Sequence, residues 1–208
     1  MSQGKILRLP KNKKKRQLYL IVAGFLLGLL ILAILTPSQP GPNLNPTLTA
    51  QTKQHQELIT SWAPNARQMQ KKYGILASIS LAQAILESNW NQSELAQKYH
   101  NLYGVKAHGN QASILIETSE YENGQWLVIK DNFAVYPNWQ ASMEDHARLL
   151  KEGTPWNALQ YQHVMAAKDY KKAAQALVAD GYATDPAYAQ KIINIIETWH
   201  LQRFDLPT

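Results

Sequence analysis

The chain has 208 residues, with 21 Lys and Arg against 15 Asp and Glu, no cysteine and 45% hydrophobic residues. That length holds one ordinary domain with an appendage, or two small domains. The missing cysteines exclude a disulfide framework, a thiol nucleophile, an iron–sulfur cluster and a cysteine-type zinc site. The net charge of +6 is local: Lys5, Arg8, Lys11, Lys13, Lys14, Lys15 and Arg16 all precede residue 18, with no acid among them. Without those seven, 14 basic residues face 15 acidic ones, and a near-neutral remainder argues against a nucleic-acid partner.

The basic tip, residues 1–17, runs into Leu18–Leu35, which carries no charge and no proline. At 1.5 Å per residue this run spans about 27 Å, close to the hydrocarbon thickness of a bilayer. A cleaved signal peptide is the competing reading. It has a shorter apolar core, of about 7–15 residues, and a small-x-small cleavage site. Here the run is longer and leads into Thr36-Pro37-Ser38-Gln39-Pro40. The expectation is an uncleaved, single transmembrane signal anchor at 18–35. The cations then stay in the cytoplasm, and the rest of the chain lies on the extracytoplasmic side of the cell membrane. Residues 36–57 contain Pro37, Pro40, Pro42 and Pro46 among polar residues and read as a partly extended tether. The remaining segment, 58–208, is long enough for one core.

In that segment the pattern predicts a helix over Trp62–Tyr73, capped by Ser61, with Pro64 in its first turn and Gly74 ending it. A second helix over Ile75–Ser88 has a broad apolar face and so belongs at the centre. A polar stretch runs from Asn89 to Asn110. Alternation over Ser113–Val135, split by Glu122-Asn123-Gly124, predicts a β-hairpin. Three more helices follow: one opened by Ser142-Met-Glu-Asp145 and closed by Gly153, one over Tyr170–Ala179 capped by Asp169, and one over Ala187–His200 entered through Asp185-Pro186. The fold class is therefore α+β, mostly helical, with one small hairpin.

From Gly74 to Leu86 no residue is charged, and Glu87 follows at the helix end. Desolvation and the carbonyl end of the helix both raise a carboxyl pKa there, which suits a general acid. The plain alternative is a surface Glu at a fraying end. Trp90, three residues on, is a candidate sugar platform, and the chain's six tryptophans offer others, although such rings also fill cores. A second carboxylate for glycoside hydrolysis is available on the hairpin as Glu117, Glu120 or Glu122. Strand alternation groups Glu120 with Glu122, and Glu122 belongs to the turn. The histidines show no HExxH and no pair at ligand spacing, so neither a metal nor another cofactor is expected.

Leu81-Ala-Gln-Ala-Ile-Leu-Glu-Ser-Asn-Trp90 with Gln92-Ser93, then Asn101-Leu-Tyr-Gly-Val-Lys106, Thr118-Ser-Glu-Tyr-Glu-Asn-Gly124, Phe133-Ala-Val-Tyr136 and Gly181-Tyr-Ala-Thr-Asp-Pro-Ala-Tyr-Ala189 form five collinear blocks. Together they resemble the glycoside hydrolase family 73 peptidoglycan N-acetylglucosaminidases, over about residues 58–200. The resemblance implies a lysozyme-like fold with a groove walled by the hairpin. It assigns the general acid to Glu87, the second carboxylate to Glu120 and an active-site tyrosine to Tyr182. Its blocks make Trp90, Asn101, Tyr103, Tyr136 and Tyr188 substrate-binding candidates. Asn91 stands where the family usually has Gly, Tyr103 where it has Phe, and Ala134 where Arg is common. The implied activity is endo-β-N-acetylglucosaminidase action on cell-wall glycan strands, at the β-1,4 bond after N-acetylglucosamine. The rivals are a lytic transglycosylase or muramidase on the same substrate, and a non-catalytic glycan-binding scaffold.

Overall fold

The computed structural model describes residues 46–122 and 125–207, with side chains described from 49 onward except at 118–127. The basic tip, the apolar run 18–35 and the first part of the tether lie outside the described residues. So does the Asn123-Gly124 turn.

Helix α1 spans Pro46–Tyr73, 28 residues. It starts well before the expected Trp62, so residues 46–57 are helical and not an extended tether. Pro46 takes the first helical position, where its missing N–H costs nothing, and no proline follows until Pro64. The segment looks polar, yet His55, Ile59, Trp62, Ala66 and Met69 are all buried and recur at steps of four and three. Ser61 lies inside the helix and caps nothing; its hydroxyl donates to the Leu58 carbonyl at 2.7 Å.

Helix α2, Ala77–Ser88, is the centre of the core, with every residue from Ala77 to Ile85 buried. It has no side-chain cap of its own. The C-terminal tail supplies one: Asp205 Oδ1 accepts from the Ser78 amide and Oδ2 from the Ser78 hydroxyl, both at 2.8 Å. Gln70 Oε1 accepts from Ala77 N at 3.2 Å and Leu206 N at 2.9 Å. The polar stretch contains a short helix the pattern missed, α3 at Glu94–Tyr99, capped by Ser93.

Strands β1 (Ser113–Glu122) and β2 (Gln125–Ala134) form the expected antiparallel hairpin, in register from Ser113↔Ala134 to Glu122↔Gln125. Its base is fastened by Ala134 N to Val105 O and Ala107 N to Asn132 O, both 2.9 Å, and by Lys106 Nζ against Asp131 Oδ2 at 2.6 Å. Register places Glu120 and Glu122 on the face shared with Ile114, Ile116 and the buried Phe133. Glu117 lies on the other face, with exposed Leu115 and Val128, and pairs with Lys130 at 3.6 Å.

Helix α4, Trp139–Glu152, opens three residues before the predicted Ser142 and is capped by Asn138, whose Oδ1 accepts from Ala141 N at 2.9 Å. Ser142 instead accepts from Leu102 N at 3.0 Å and joins the helix to the loop before the hairpin. A five-residue helix, α5 at Gln162–Ala166, precedes α6 (Tyr170–Ala179, capped by Asp169 as expected) and α7 (Tyr188–Trp199). A 3₁₀ turn, Leu201–Phe204, brings the tail back to α2.

Gly153 ends α4 at φ +76, and a Cβ there would lie 2.4 Å from the Asn157 carbonyl oxygen and 2.6 Å from the Ala158 backbone. Both contacts are backbone, so no side chain can swing aside. Gly153→Ala is expected to cost about 2 kcal/mol or more, and thermal denaturation should show this as a fall of several degrees in Tm.

Candidate active site

Glu87 occupies the last turn of α2, followed by three left-handed residues, Asn89, Trp90 and Asn91. Its carboxyl is gripped on one side only. The Tyr188 hydroxyl, from the first turn of α7, donates to Oε1 at 2.7 Å, while Oε2 is covered and has no hydrogen-bond partner among the described residues. Gln83, one turn earlier on α2, donates from Nε2 to the Tyr188 hydroxyl at 3.1 Å and fixes the direction in which that phenol points. Burial pushes the Glu87 pKa up to about 7; the Tyr188 hydrogen bond and the charge of Lys191 pull the other way and lose. Near neutral pH the carboxyl is therefore substantially protonated. Since Oε1 is the acceptor of the Tyr188 hydroxyl, Oε2 is the atom left to carry the proton.

Tyr182 sits beside this pair, its ring centroid 5.9 Å from that of Tyr188. Its hydroxyl makes no hydrogen bond to any described residue, and burial together with the charge of Glu87 holds its pKa well above the usual phenol value. The loop that carries it is pinned from below. Asp180 accepts from His163 N at 3.1 Å and Val164 N at 3.2 Å, and the Gln160 amide donates to the Asp180 carbonyl. Gly181, at φ +79, then turns the chain upward.

The other expected substrate contacts divide differently. Asn101 is 1% exposed and spends its amide on the backbone: Nδ2 donates to Val105 O and Ala134 O, and Oδ1 accepts from Val105 N, all at 2.9 Å. It staples the loop before the hairpin and presents nothing to a sugar. Tyr103 is buried, donates to Ser80 O at 3.2 Å and stacks on His146 at 3.8 Å, so it is core. Tyr136 is buried and donates to Asp145 Oδ2 at 2.6 Å. Tyr188 orients the acid. Trp90 is half-buried, with one face stacked on His55 and Trp199 meeting it edge-on. Glu120 is placed by the backbone register alone; its side chain lies outside the described residues.

Three residues that the sequence pattern did not single out complete the site: Gln83, Lys191 and His146. Gln83 could have been found as the residue four before Glu87, and Lys191 as the one three after Tyr188, each on the same helix face as its partner. His146 left no such signal. It is fully buried between Tyr103 and the edge of Tyr182, both ring nitrogens lack partners among the described residues, and burial depresses its pKa to about 3, so it is neutral. No cluster of His, Cys, Asp or Glu among the described residues could hold a metal ion.

Both the sequence and the fold that carry these residues are matched in known proteins. The family described as mannosyl-glycoprotein endo-β-N-acetylglucosaminidase, the Glucosaminidase family, matches residues 63–201. The chain belongs to this family. Its members are glycoside hydrolases, and the chain is one. It is 42% identical over 196 residues to the exo-glucosaminidase LytG of Bacillus subtilis, covering 94% of this chain and 69% of that protein. It is 34% identical to a probable N-acetylmuramidase of Lactococcus lactis subsp. cremoris, across 94% of this chain and 46% of the other. Among solved structures, the catalytic domain of the Listeria monocytogenes autolysin Auto superposes with a TM-score of 0.68 at 34% identity, covering 80% of this chain and all of that domain. The glycoside hydrolase domain of Salmonella typhimurium FlgJ, C-terminally truncated, gives 0.56 at 32% identity over 70% of this chain and 97% of the other. These matches bear out the mostly helical, lysozyme-like arrangement with a two-stranded sheet.

Two predictions follow from the balance at Glu87. Tyr188→Phe removes the one hydrogen bond that favours the carboxylate, so the Glu87 pKa should rise by about half to one unit. The alkaline limb of a pH–rate profile should move to higher pH with it. A carboxyl whose folded pKa is about 7, above its ordinary 4.5, binds more protons folded than unfolded between those values. The native protein should therefore lose stability as pH rises through that window, by up to about 3 kcal/mol. Glu87→Gln should lose none of it, and thermal melts of both proteins at about pH 4 and about pH 8 measure the difference.

Proposed function

We propose that this chain is a membrane-anchored peptidoglycan hydrolase that cleaves cell-wall glycan strands at the β-1,4 bond after N-acetylglucosamine, acting as an endo-β-N-acetylglucosaminidase. The observation that carries the reading is the Glu87 carboxyl, held near neutrality by burial with Tyr188 on one oxygen and the other unpartnered. A carboxylic acid that keeps its proton at neutral pH can protonate the leaving glycosidic oxygen, the slow part of acetal cleavage. Tyr182, with an uncommitted hydroxyl beside the acid, orients the sugar or its N-acetyl group. Glu120 serves as the second carboxylate, activating water or stabilising the oxocarbenium-like transition state. Its face of the hairpin, shared with Phe133, supports that choice over Glu117, which is paired with Lys130 on the opposite face. The amide oxygen of the substrate's own acetamido group is the alternative nucleophile, and Glu120 then acts as an auxiliary.

The apolar run Leu18–Leu35 behind seven cations is the basis for the anchor, with the N-terminus cytoplasmic and the catalytic domain on the cell-wall side. Peptidoglycan as substrate is supported by the relatives, which include autolysins and a peptidoglycan hydrolase. The name of LytG favours a second mode, release of single residues from strand ends.

The test is digestion of purified cell walls by the full chain. The parent should clear the suspension and leave reducing N-acetylglucosamine ends, and Glu87→Gln should be slower by about 10²–10⁴-fold. Early shortening of the strands marks endo cleavage; release of free N-acetylglucosamine without shortening marks the exo mode. Anhydro-muramic ends would assign the chain to the transglycosylases, and equal clearing by both proteins would remove Glu87 from the chemistry.

A further inference from the structure

The turn directly behind the acid is in an unusual conformation, and the group that clamps it comes from outside the matched family segment. Asn89, Trp90 and Asn91 have φ of +48, +59 and +61. Asparagine tolerates the left-handed region, but a bulky Trp is a steric outlier there. Backbone bonds shape the turn: Trp90 N donates to Ile85 O at 3.0 Å, and Asn91 N donates to Ser88 Oγ at 2.8 Å. The Trp90 side chain is then clamped by rings from two helices. His55 of α1 stacks on it face to face at 3.6 Å and 5°, and Trp199 at the end of α7 meets it edge-on at 4.9 Å. His55 and Trp199 also touch, at 5.6 Å and 70°, which closes the triangle.

His55 is 9% exposed, and its Nε2 is covered without a hydrogen-bond partner among the described residues. The imidazole meets Trp90 with its flat face. Burial lowers its pKa, which favours the neutral form of the stacked ring. Helix α7 touches the end of α2 twice, through Tyr188 on Glu87 and through Trp199 on Trp90. His55 supplies the third side of the grip. The family match begins at residue 63, so the helical stretch carrying His55 precedes it.

We propose that His55 is a positioning residue for the reaction: by stacking on Trp90 it holds the left-handed turn that ends α2, and so holds Glu87 in its buried place against Tyr188. The stretch 46–62 is then a working part of the catalytic domain and not a spacer. This rests on the reading of Glu87 as the acid. When the stack is removed, Trp90 can return to negative φ, the last turn of α2 loosens, and the Glu87 carboxyl meets water.

The experiment compares the full chain with His55→Ala, His55→Leu and His55→Phe, in kinetics on soluble glycan fragments and by carbon NMR titration of the Glu87 carboxyl. His55→Ala should lower kcat by about ten- to a hundredfold with KM little changed, and the Glu87 titration should fall from about 7 towards the ordinary carboxyl range. His55→Phe, which restores a flat face, should recover both; His55→Leu, which fills the space without one, should not. Should His55→Ala fail to fold, the Leu and Phe variants carry the same comparison. The idea is overturned by a parent-like titration in both Ala and Leu variants, by a loss confined to KM, or by Phe failing to rescue. The NMR readout does not depend on activity, so an inactive parent would sink the assignment of Glu87 while leaving the clamp testable.

Discussion

Burying a carboxyl group at the end of a helix that has no other charge is the constraint around which the rest of the molecule is arranged. Three forces act on Glu87. Burial favours the neutral acid, while the Tyr188 hydroxyl and the Lys191 ammonium favour the carboxylate, and burial wins. The margin matters chemically, because an acid that titrates near 7 is protonated often enough to donate and acidic enough to release its proton. The fold maintains that margin by surrounding α2. Helices α1 and α7 pack on it, the C-terminal tail caps its far end through Asp205, and no polar group on its length from Ala77 to Ile85 reaches solvent.

The tyrosines show how one residue type takes on several tasks according to what its hydroxyl meets. Tyr103 and Tyr136 give theirs to Ser80 and Asp145 and stay in the frame of the domain. Tyr188 gives its hydroxyl to the acid and receives Gln83 in return, a short relay that sets geometry more than energy. Tyr182 keeps its own uncommitted. Each is buried, so exposure does not separate them; their hydrogen bonds do.

Local signals in the chain were read well where a single short-range rule applied. Asp169 caps α6, Gly153 and Gly181 adopt the positive φ that ends their segments, and the Glu122-Asn123-Gly124 signal marked a hairpin whose strands pair in full register. Reading failed where a side chain had two good uses. Ser61 and Ser142 both look like helix caps, but one bonds its own helix and the other a neighbouring loop. The stretch 46–57 reads as linker because its apolar positions are few, and the stripe that buries it is completed by His55, which no hydropathy argument counts as apolar. Trp90, read from the sequence as a sugar platform, also has a packing role that the sequence does not show: its ring stacks on His55 and meets Trp199 edge-on.

The sequence marks Glu87 as a candidate, a carboxyl ending an uncharged apolar helix, and the assignment of an acid role to it and of a site role to Tyr182 comes through the resemblance that the five collinear blocks carry. Which partners those groups meet was not. Gln83, Tyr188, Lys191 and His55 reach Glu87 or its turn from three helices, the most distant of them more than a hundred residues away along the chain. Such contacts depend on how helices cross, and crossing is set by the summed packing of the whole core, a quantity that no window of neighbouring residues contains.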